Sequence, residues 1–194
     1  MPALLQADGV RVDVALTIND ILQALAIRSA VFMAEQSCPY AEEFDGNDFA
    51  GATHLVAFRD DEPVGTMRFR WFAGFAKAER LAVRKDKRNL HVAKAIINAG
   101  AILAARKGYR QVLGHIETEL LAFWKRYGAV KELSGRSGVQ FSDRAYVEVV
   151  KELEASPDAL TINSPALVLL RPEGDWDREG VLDRSTARSK LAAR

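Results

Sequence analysis

The stretch Glu79-Arg80-Leu81-Ala82-Val83-Arg84-Lys85-Asp86-Lys87-Arg88-Asn89-Leu90-His91-Val92-Ala93-Lys94 decides how the chain is read. Residues 76–83 alternate, which puts Lys77, Glu79, Leu81 and Val83 on one side of a strand. A short basic connection follows, and then Val92, Ala93, Ile96, Ile97, Ala99, Gly100, Leu103 and Ala104 recur as the broad apolar stripe of a helix. Arg106, Lys107 and Gly108 sign the end of that helix. A strand that runs through a basic loop into a helix leaves unpaired N–H groups and a positive partial charge facing the loop. A phosphate or diphosphate binds there naturally, and Arg84, Lys85, Lys87, Arg88 and Lys94 can add charge. The same residues also read as a solvated connection with ordinary surface charges.

Outward from this stretch, residues 10–16 alternate as a strand. Thr17 and Asn19 are capping candidates for a helix carrying Ile21, Leu22, Leu25, Ile27 and Val31, which should end near Glu35-Gln36. Residues 37–51 read as an irregular loop. Residues 54–58 and 65–72 form a hairpin around Asp60-Asp61-Glu62-Pro63, with Met67, Phe69 and Trp71 on the buried face and Thr66, Arg68 and Arg70 on the polar one. Residues 111–116, 130–133 and 144–150 read as further strands, and 119–127 as a helix stopped by Gly128. This order is neither a regular βαβ alternation nor all-β. It predicts an α/β (α+β) fold, a mixed sheet with helices on both faces. Residues 1–153 are expected to form this domain. Residues 154–194 are expected to be an extension, with a short strand at 166–170 and a polar tail that is partly disordered or packed on a partner, as in a homodimer.

The bulk numbers fit. The chain has 194 residues, 48% hydrophobic and 27% charged, enough for one packed domain with an appendage. A net charge of +1 supplies no global field for nucleic acid or acidic membranes. No apolar run approaches the roughly 18 residues of a membrane span. The N-terminus lacks the basic flank and apolar centre of a signal peptide. The single cysteine, Cys38, excludes an internal disulfide and fits a reducing compartment, so a cytoplasmic location is expected. His54, His91, His115 and Cys38 have no metal-ligand spacing, so no metal is expected.

Leu81-Ala82-Val83 followed by Arg88-Asn89-Leu90-His91-Val92-Ala93 resembles the acyl-CoA motif of the GNAT superfamily of N-acetyltransferases. Phe123-Trp124-Lys125-Arg126-Tyr127-Gly128 is similar to that family's later Phe-Tyr-x-x-x-Gly signature. Residues 28–40, with Asp45-Gly46-Asn47-Asp48, are similar to its ElaA-like branch. The three matches fall in the family's order over residues 28 to about 153.

The resemblance implies a splayed mixed sheet with acetyl-CoA, or another acyl-CoA, in the V between two central strands. Backbone groups at Leu81, Ala82 and Val83 would pair with the pantetheine arm. Amides of Arg88, Asn89, Leu90, His91, Val92, Ala93 and Lys94 would hold the diphosphate, with Trp124 also against the cofactor. An amine, small-molecule or peptide, would attack the thioester directly, so the protein must orient the reactants, take a proton and stabilise the leaving thiolate. His91 stands where the family usually has glycine; it would crowd the diphosphate if its backbone needed positive φ, or else point outward or add a donor. Trp124 replaces the family's usual tyrosine acid, and an indole N–H cannot serve as that acid. Tyr127 is the candidate substitute for that acid, against a core role.

Glu79 is the first candidate base, against a structural salt bridge with Arg68 or Arg70. His115 is the second, against a structural role, and Glu117 is positioned to hold a water or the substrate ammonium. Glu35, Gln36 and the acidic loop around Asp45 sit where the acceptor approaches and would favour a cationic amine, against a solvated turn. Two other functions remain open: a long-chain N-acyl amino acid or homoserine lactone synthase-like enzyme, signalled by a wider apolar cleft near Trp71, Phe72 and Phe75, or a non-catalytic acyl-CoA- or partner-binding domain.

Overall fold

The computed structural model describes residues 3–185 apart from 89, 134, 136, 137 and 142; the side chains of Leu90 and Tyr127 also lie outside the described set. Nine strands form one sheet in the order β1-β2-β3-β4-β5-β6-β9-β7, with β8 paired to β9. These are β1 (Leu5–Ala7), β2 (Val10–Val14), β3 (Thr53–Arg59), β4 (Glu62–Phe72), β5 (Phe75–Val83), β6 (Gln111–Glu117), β7 (Lys131–Glu132), β8 (Val139–Phe141) and β9 (Arg144–Glu152). All described pairings are antiparallel except β5 with β6, so the sheet is mixed as expected. The sequence reading omits β1 and β8. Asp8 and Gly9 both take positive φ (52° and 72°), a two-residue turn that pairs β1 with β2.

Two helices cover the two faces. Helix α1 (Ile18–Arg28) opens on a capping box: Thr17 Oγ1 accepts from the Asp20 amide, and Asp20 accepts from the Thr17 amide. It runs on through a π-helical stretch, Ser29–Glu35, to the expected end, and the short α2 (Tyr40–Glu43) lies in the following loop. Helix α3 (Leu90–Arg106) packs on the opposite face, where Val92, Ala95, Ile96, Ala99 and Leu103 join Val10, Val12, Leu55, Val64, Met67 and Phe69 in the main core. Gly100 makes the approach possible: a Cβ there would lie 2.4 Å from the Phe69 ring. Gly108, at φ +89°, ends the helix with a left-handed residue, as the sequence indicates. Helix α4 (Leu121–Tyr127) follows β6.

Three expectations are corrected. Thr66 and Arg68 lie on no solvated face; both are fully buried beneath α1 because the sheet is covered on both sides. Residues 166–170 form no strand; Ala166–Leu169 is a short helix, α5. It follows Pro165, which donates no backbone N–H and is tolerated at a helix start. The described part of the extension also packs on its own domain, and residues 186–194 of the expected polar tail lie outside the described residues. Trp176 is 8% exposed within the main core, Leu160 and Val168 lie against it, and Glu173 ties Thr53 to Lys107.

Candidate active site

The sheet opens where β5 meets β6. The two strands pair in parallel only over Ala76–Val112, Lys77–Leu113 and Ala78–Gly114. Beyond Ala78 and Gly114 their backbones part, and a cleft of about 750 Å³ occupies the opening. One wall is residues 78–81 of β5 with Phe32 and Gln36; the other is residues 114–117 of β6 with Leu120, Trp124 and the β8–β9 hairpin. Backbone groups of residues 79–83 on the β6 side therefore lack a sheet partner, and the connection from Val83 enters α3. The opening leaves a backbone edge free beside a cleft, and the first turn of a helix such as α3 carries N–H groups without intrahelical partners.

A β-bulge at Arg80 shapes this edge. Thr66 pairs with Ala82 and Arg68 with Glu79, so β5 carries one residue more than β4, and Arg80 takes φ +57°. The extra residue reverses the alternation. Glu79 faces Arg68 and the α1 side, and so does Ala82, which packs on Ile27 and Val31. Leu81 and Val83 pack into the α3-side core. The expectation that Glu79 shares a face with Leu81 and Val83 is thus wrong, because simple alternation does not anticipate the bulge.

The α1 side of the cleft is ionic. Glu79 Oε2 accepts from Arg68 at 2.6 Å, while Oε1 is buried without a hydrogen bond, 3.8 Å from Arg70 Nη1 and 3.7 Å from Lys77 Nζ. The salt bridge named as the alternative to a base therefore forms. His115 Nε2 lies 3.2 Å from Glu148 Oε1, and its ring packs edge-on to Phe141. Burial and the nearby Lys77 charge lower the His115 pKa, against the pull of Glu148, which keeps the imidazole neutral at pH 7. Glu117 accepts from Arg144 at 2.9 Å. Tyr146 lines the same wall; burial and Glu117 raise its phenol pKa, so it stays protonated as a donor.

The acidic loop turns inward. Fully buried Arg28 binds Glu43 at 2.5 Å and also binds Asp48, and Arg68 binds Asp45 at 2.6 Å and Asp48 at 2.8 Å. Arg80 adds contacts to Glu43 and Asp45. Arg68 holds the Asp45 carboxyl far below the usual range despite burial, and both arginines lower Asp48; burial pushes Glu43 up. Asp45 reaches the cleft already neutralised by arginine, and Gln36 lines it. Glu35 points elsewhere, accepting from Arg88 at 2.6 Å.

The cofactor-side residues divide likewise. Asn89 lies outside the described residues. Arg88 Nε donates to the Val83 carbonyl at 3.0 Å, so an arm pairing there must displace it. His91 sits in helical backbone, exposed, 3.2 Å from Asp8: it points outward and does not crowd the helix start. Val92 is core, Ala93 is partly buried, and Lys94 is exposed. Arg84 and Lys87 pair with Glu62, which partly neutralises the basic connection. Trp124 lines the cleft. The Tyr127 side chain is not described. Near the position named for a wider apolar cleft, Trp71 stacks between Phe69 and Tyr109, and Phe72 stacks on Phe75.

Arg70, Lys77, Glu148 and Tyr146 are cleft-side groups that the sequence reading did not select. The period of β4 and β5 exposes the first two, since Arg70 pairs with Lys77 in register. Glu148 and Tyr146 depend on the β6–β9 register, which places them opposite His115 and Glu117 and has no local signal.

Comparison with known proteins agrees with this geometry. Residues 50–128 match the family "Acetyltransferase (GNAT) domain". A Bacillus subtilis (strain 168) protein named as an acetyltransferase is 32% identical over 112 residues, covering 57% of this chain and 76% of the relative. An acyl-CoA N-acyltransferase structure from Pseudomonas aeruginosa shares the fold at TM-score 0.65 and 22% identity, over 73% of this chain and 99% of that one. Escherichia coli ElaA does so at TM-score 0.64 and 19% identity, over 74% and 99%. The splayed sheet, the motif order and the covered relative make this chain a member of the GNAT acetyltransferases, whose general reaction moves an acyl group from acyl-CoA to an amine.

Proposed function

We propose that the acyl-CoA arm lies along Leu81, Ala82 and Val83 in the V between β5 and β6, with its diphosphate at the start of α3, over residues 88–94. The amine enters from the α1 side of the sheet. Its nitrogen attacks the thioester carbon, the C–S bond breaks, and the thiolate leaves. His115 takes the proton from the attacking amine. Its Nε2–H donates to Glu148, which leaves Nδ1 as the acceptor. Glu79 positions the amine through its free oxygen Oε1, because Oε2 is committed to Arg68. The carrying observation is the parting of β5 and β6 after Ala78 and Gly114, directly upstream of the connection into α3.

Thiol release from acetyl-CoA across a panel of amines tests this reading. Wild-type kcat/KM should fall at acid pH along a limb set below the ordinary histidine value of about 6.5. His115→Gln should abolish that limb, and Glu79→Gln should raise acceptor KM while keeping it. A limb retained in His115→Gln and lost in Glu79→Gln would return the base role to Glu79.

A further inference from the structure

The cationic side chains lining the cleft and buried beneath it fall into two states. Arg28, Arg68, Arg80 and Arg144 each hold at least one carboxylate within hydrogen-bond or close ion-pair distance. Arg70 and Lys77 do not. They sit opposite one another in register on β4 and β5, line the cleft, and remain 29% and 23% exposed. Among the described residues, neither side chain donates a hydrogen bond. Among the described residues their one carboxylate neighbour within 4 Å is Glu79 Oε1, at 3.8 and 3.7 Å, and that oxygen is itself buried without a hydrogen bond. Arg70 is held in place over the Phe72 ring, 5.0 Å from its centroid.

Two under-satisfied cations beside one under-satisfied carboxylate oxygen form a complementary set. An anionic group set between Arg70 and Lys77 would complete the donors of both, in the fork geometry that a guanidinium offers a carboxylate. An ammonium a few bonds away would complete Glu79 Oε1. A free amino acid carries both groups at that separation. A peptide N-terminus or a simple polyamine carries the amine without the adjacent acid and would leave Arg70 and Lys77 facing uncompensated charge in a partly desolvated wall. Glu43, Asp45 and Asp48 of the acidic loop are already paired with arginine, which leaves Glu42 as the exposed loop carboxylate at the cleft for a purely cationic acceptor.

We propose that the acceptor is a small amino acid-like molecule, with its carboxylate held by Arg70 and Lys77 and its amine by Glu79 Oε1. This rests on the acyltransferase reading above and adds the substrate class. The test compares thiol release from acetyl-CoA for amino acids and for the matched amines lacking the carboxylate, with methyl esters as a third arm and ω-amino alkyl phosphates as a fourth. The wild-type enzyme should prefer the carboxylate member of at least one matched pair by about tenfold or more in kcat/KM, expressed mainly in KM. The ester should behave like the decarboxylated amine. The double variant Arg70→Gln/Lys77→Met should lose the preference, and Arg70→Lys should retain part of it.

Equal or better turnover of decarboxylated amines by the wild type would overturn the substrate class while leaving the acyltransferase reading intact. A preference surviving in the double variant would move the recognition elsewhere and overturn the assignment, as would a stronger preference for the phosphates. Turnover of neither series, with acetyl-CoA still raising the melting temperature, would also overturn this proposal alone. Absence of any acetyl-CoA effect would strike the underlying reading first. Circular dichroism of the double variant separates loss of recognition from loss of fold.

Discussion

Two ionic clusters share the α1 side of the sheet and differ in one respect. Around Arg28 and Arg68, Glu43, Asp45 and Asp48 of the loop are turned inward and held, and both arginine side chains are wholly inaccessible. Around Glu79 and His115, a few residues away in the sheet, the side chains line the cleft, and among the described residues those of Arg70 and Lys77 and the buried Glu79 Oε1 make no hydrogen bond. In the first cluster each buried charge meets an opposite one, because unpaired charge in the interior is costly, even though Glu43 Oε2 and Arg68 Nε make no hydrogen bond. That cluster fixes the residues 37–51 loop against the sheet. The second keeps unused hydrogen-bonding capacity at a cleft, the condition under which a ligand or a moving proton gains most.

If that contrast is right, the two clusters respond to different measurements. The largest effect falls on the sealed one. Arg28→Met removes the buried partner that Glu43 and Asp48 share, leaving them Arg80 and Arg68 alone, and should cost about 3–5 kcal/mol of stability in urea unfolding; a loss below about 1 kcal/mol would show the cluster to be solvated. The next falls on the open one. His115→Gln should lower kcat/KM on the order of 10²-fold or more while leaving the urea midpoint close to wild type. A large stability loss with intact turnover would make His115 structural and erase the distinction.

A third prediction uses pH. Asp45 and Asp48 are held below the ordinary carboxylate value by Arg28 and Arg68, so their contribution is present above the unfolded pKa of about 3.9 and is lost as pH falls through the depressed folded values. Glu43, pushed up by burial, opposes this in part. Acid unfolding should therefore steepen below about pH 4 and flatten in a double variant Asp45→Asn/Asp48→Asn; identical acid limbs would contradict the assignment. The smallest effect concerns the cofactor side. Glu35→Gln releases Arg88 from an exposed pair. Exposed pairs contribute at most about 1 kcal/mol, so CoA should bind about two- to threefold more tightly; weaker binding would mean that the pair preorganises Arg88 instead.

Much of this molecule is legible in the sequence, and what escapes has physical causes. The strand–basic loop–helix unit, the capped α1, the hairpin around Asp60 and the Gly108 stop all come from local patterns, and each is found. The bulge at Arg80 is invisible to a period-two reading, since one inserted residue with positive φ moves Leu81 and Val83 to the far face. Arg68 reads as a surface residue by alternation; only the second layer, α1 and its loop, makes it the centre of a buried network. The pairing of His115 with Glu148 rests on contacts 33 positions apart along the chain, which no local rule supplies. In the extension, Ala166 to Leu169 is as apolar as a strand, but the preceding proline and the docking of Trp176 into the core decide for a helical turn.

The central claim places acyl-CoA in the V between β5 and β6. Hydrogen–deuterium exchange of the full chain with and without CoA tests it directly, because a bound arm and diphosphate shield the amides they touch. Protection should concentrate at residues 79–94, with a smaller response at 114–117. Saturable CoA binding that leaves those amides unchanged and protects another part of the sheet would contradict the account.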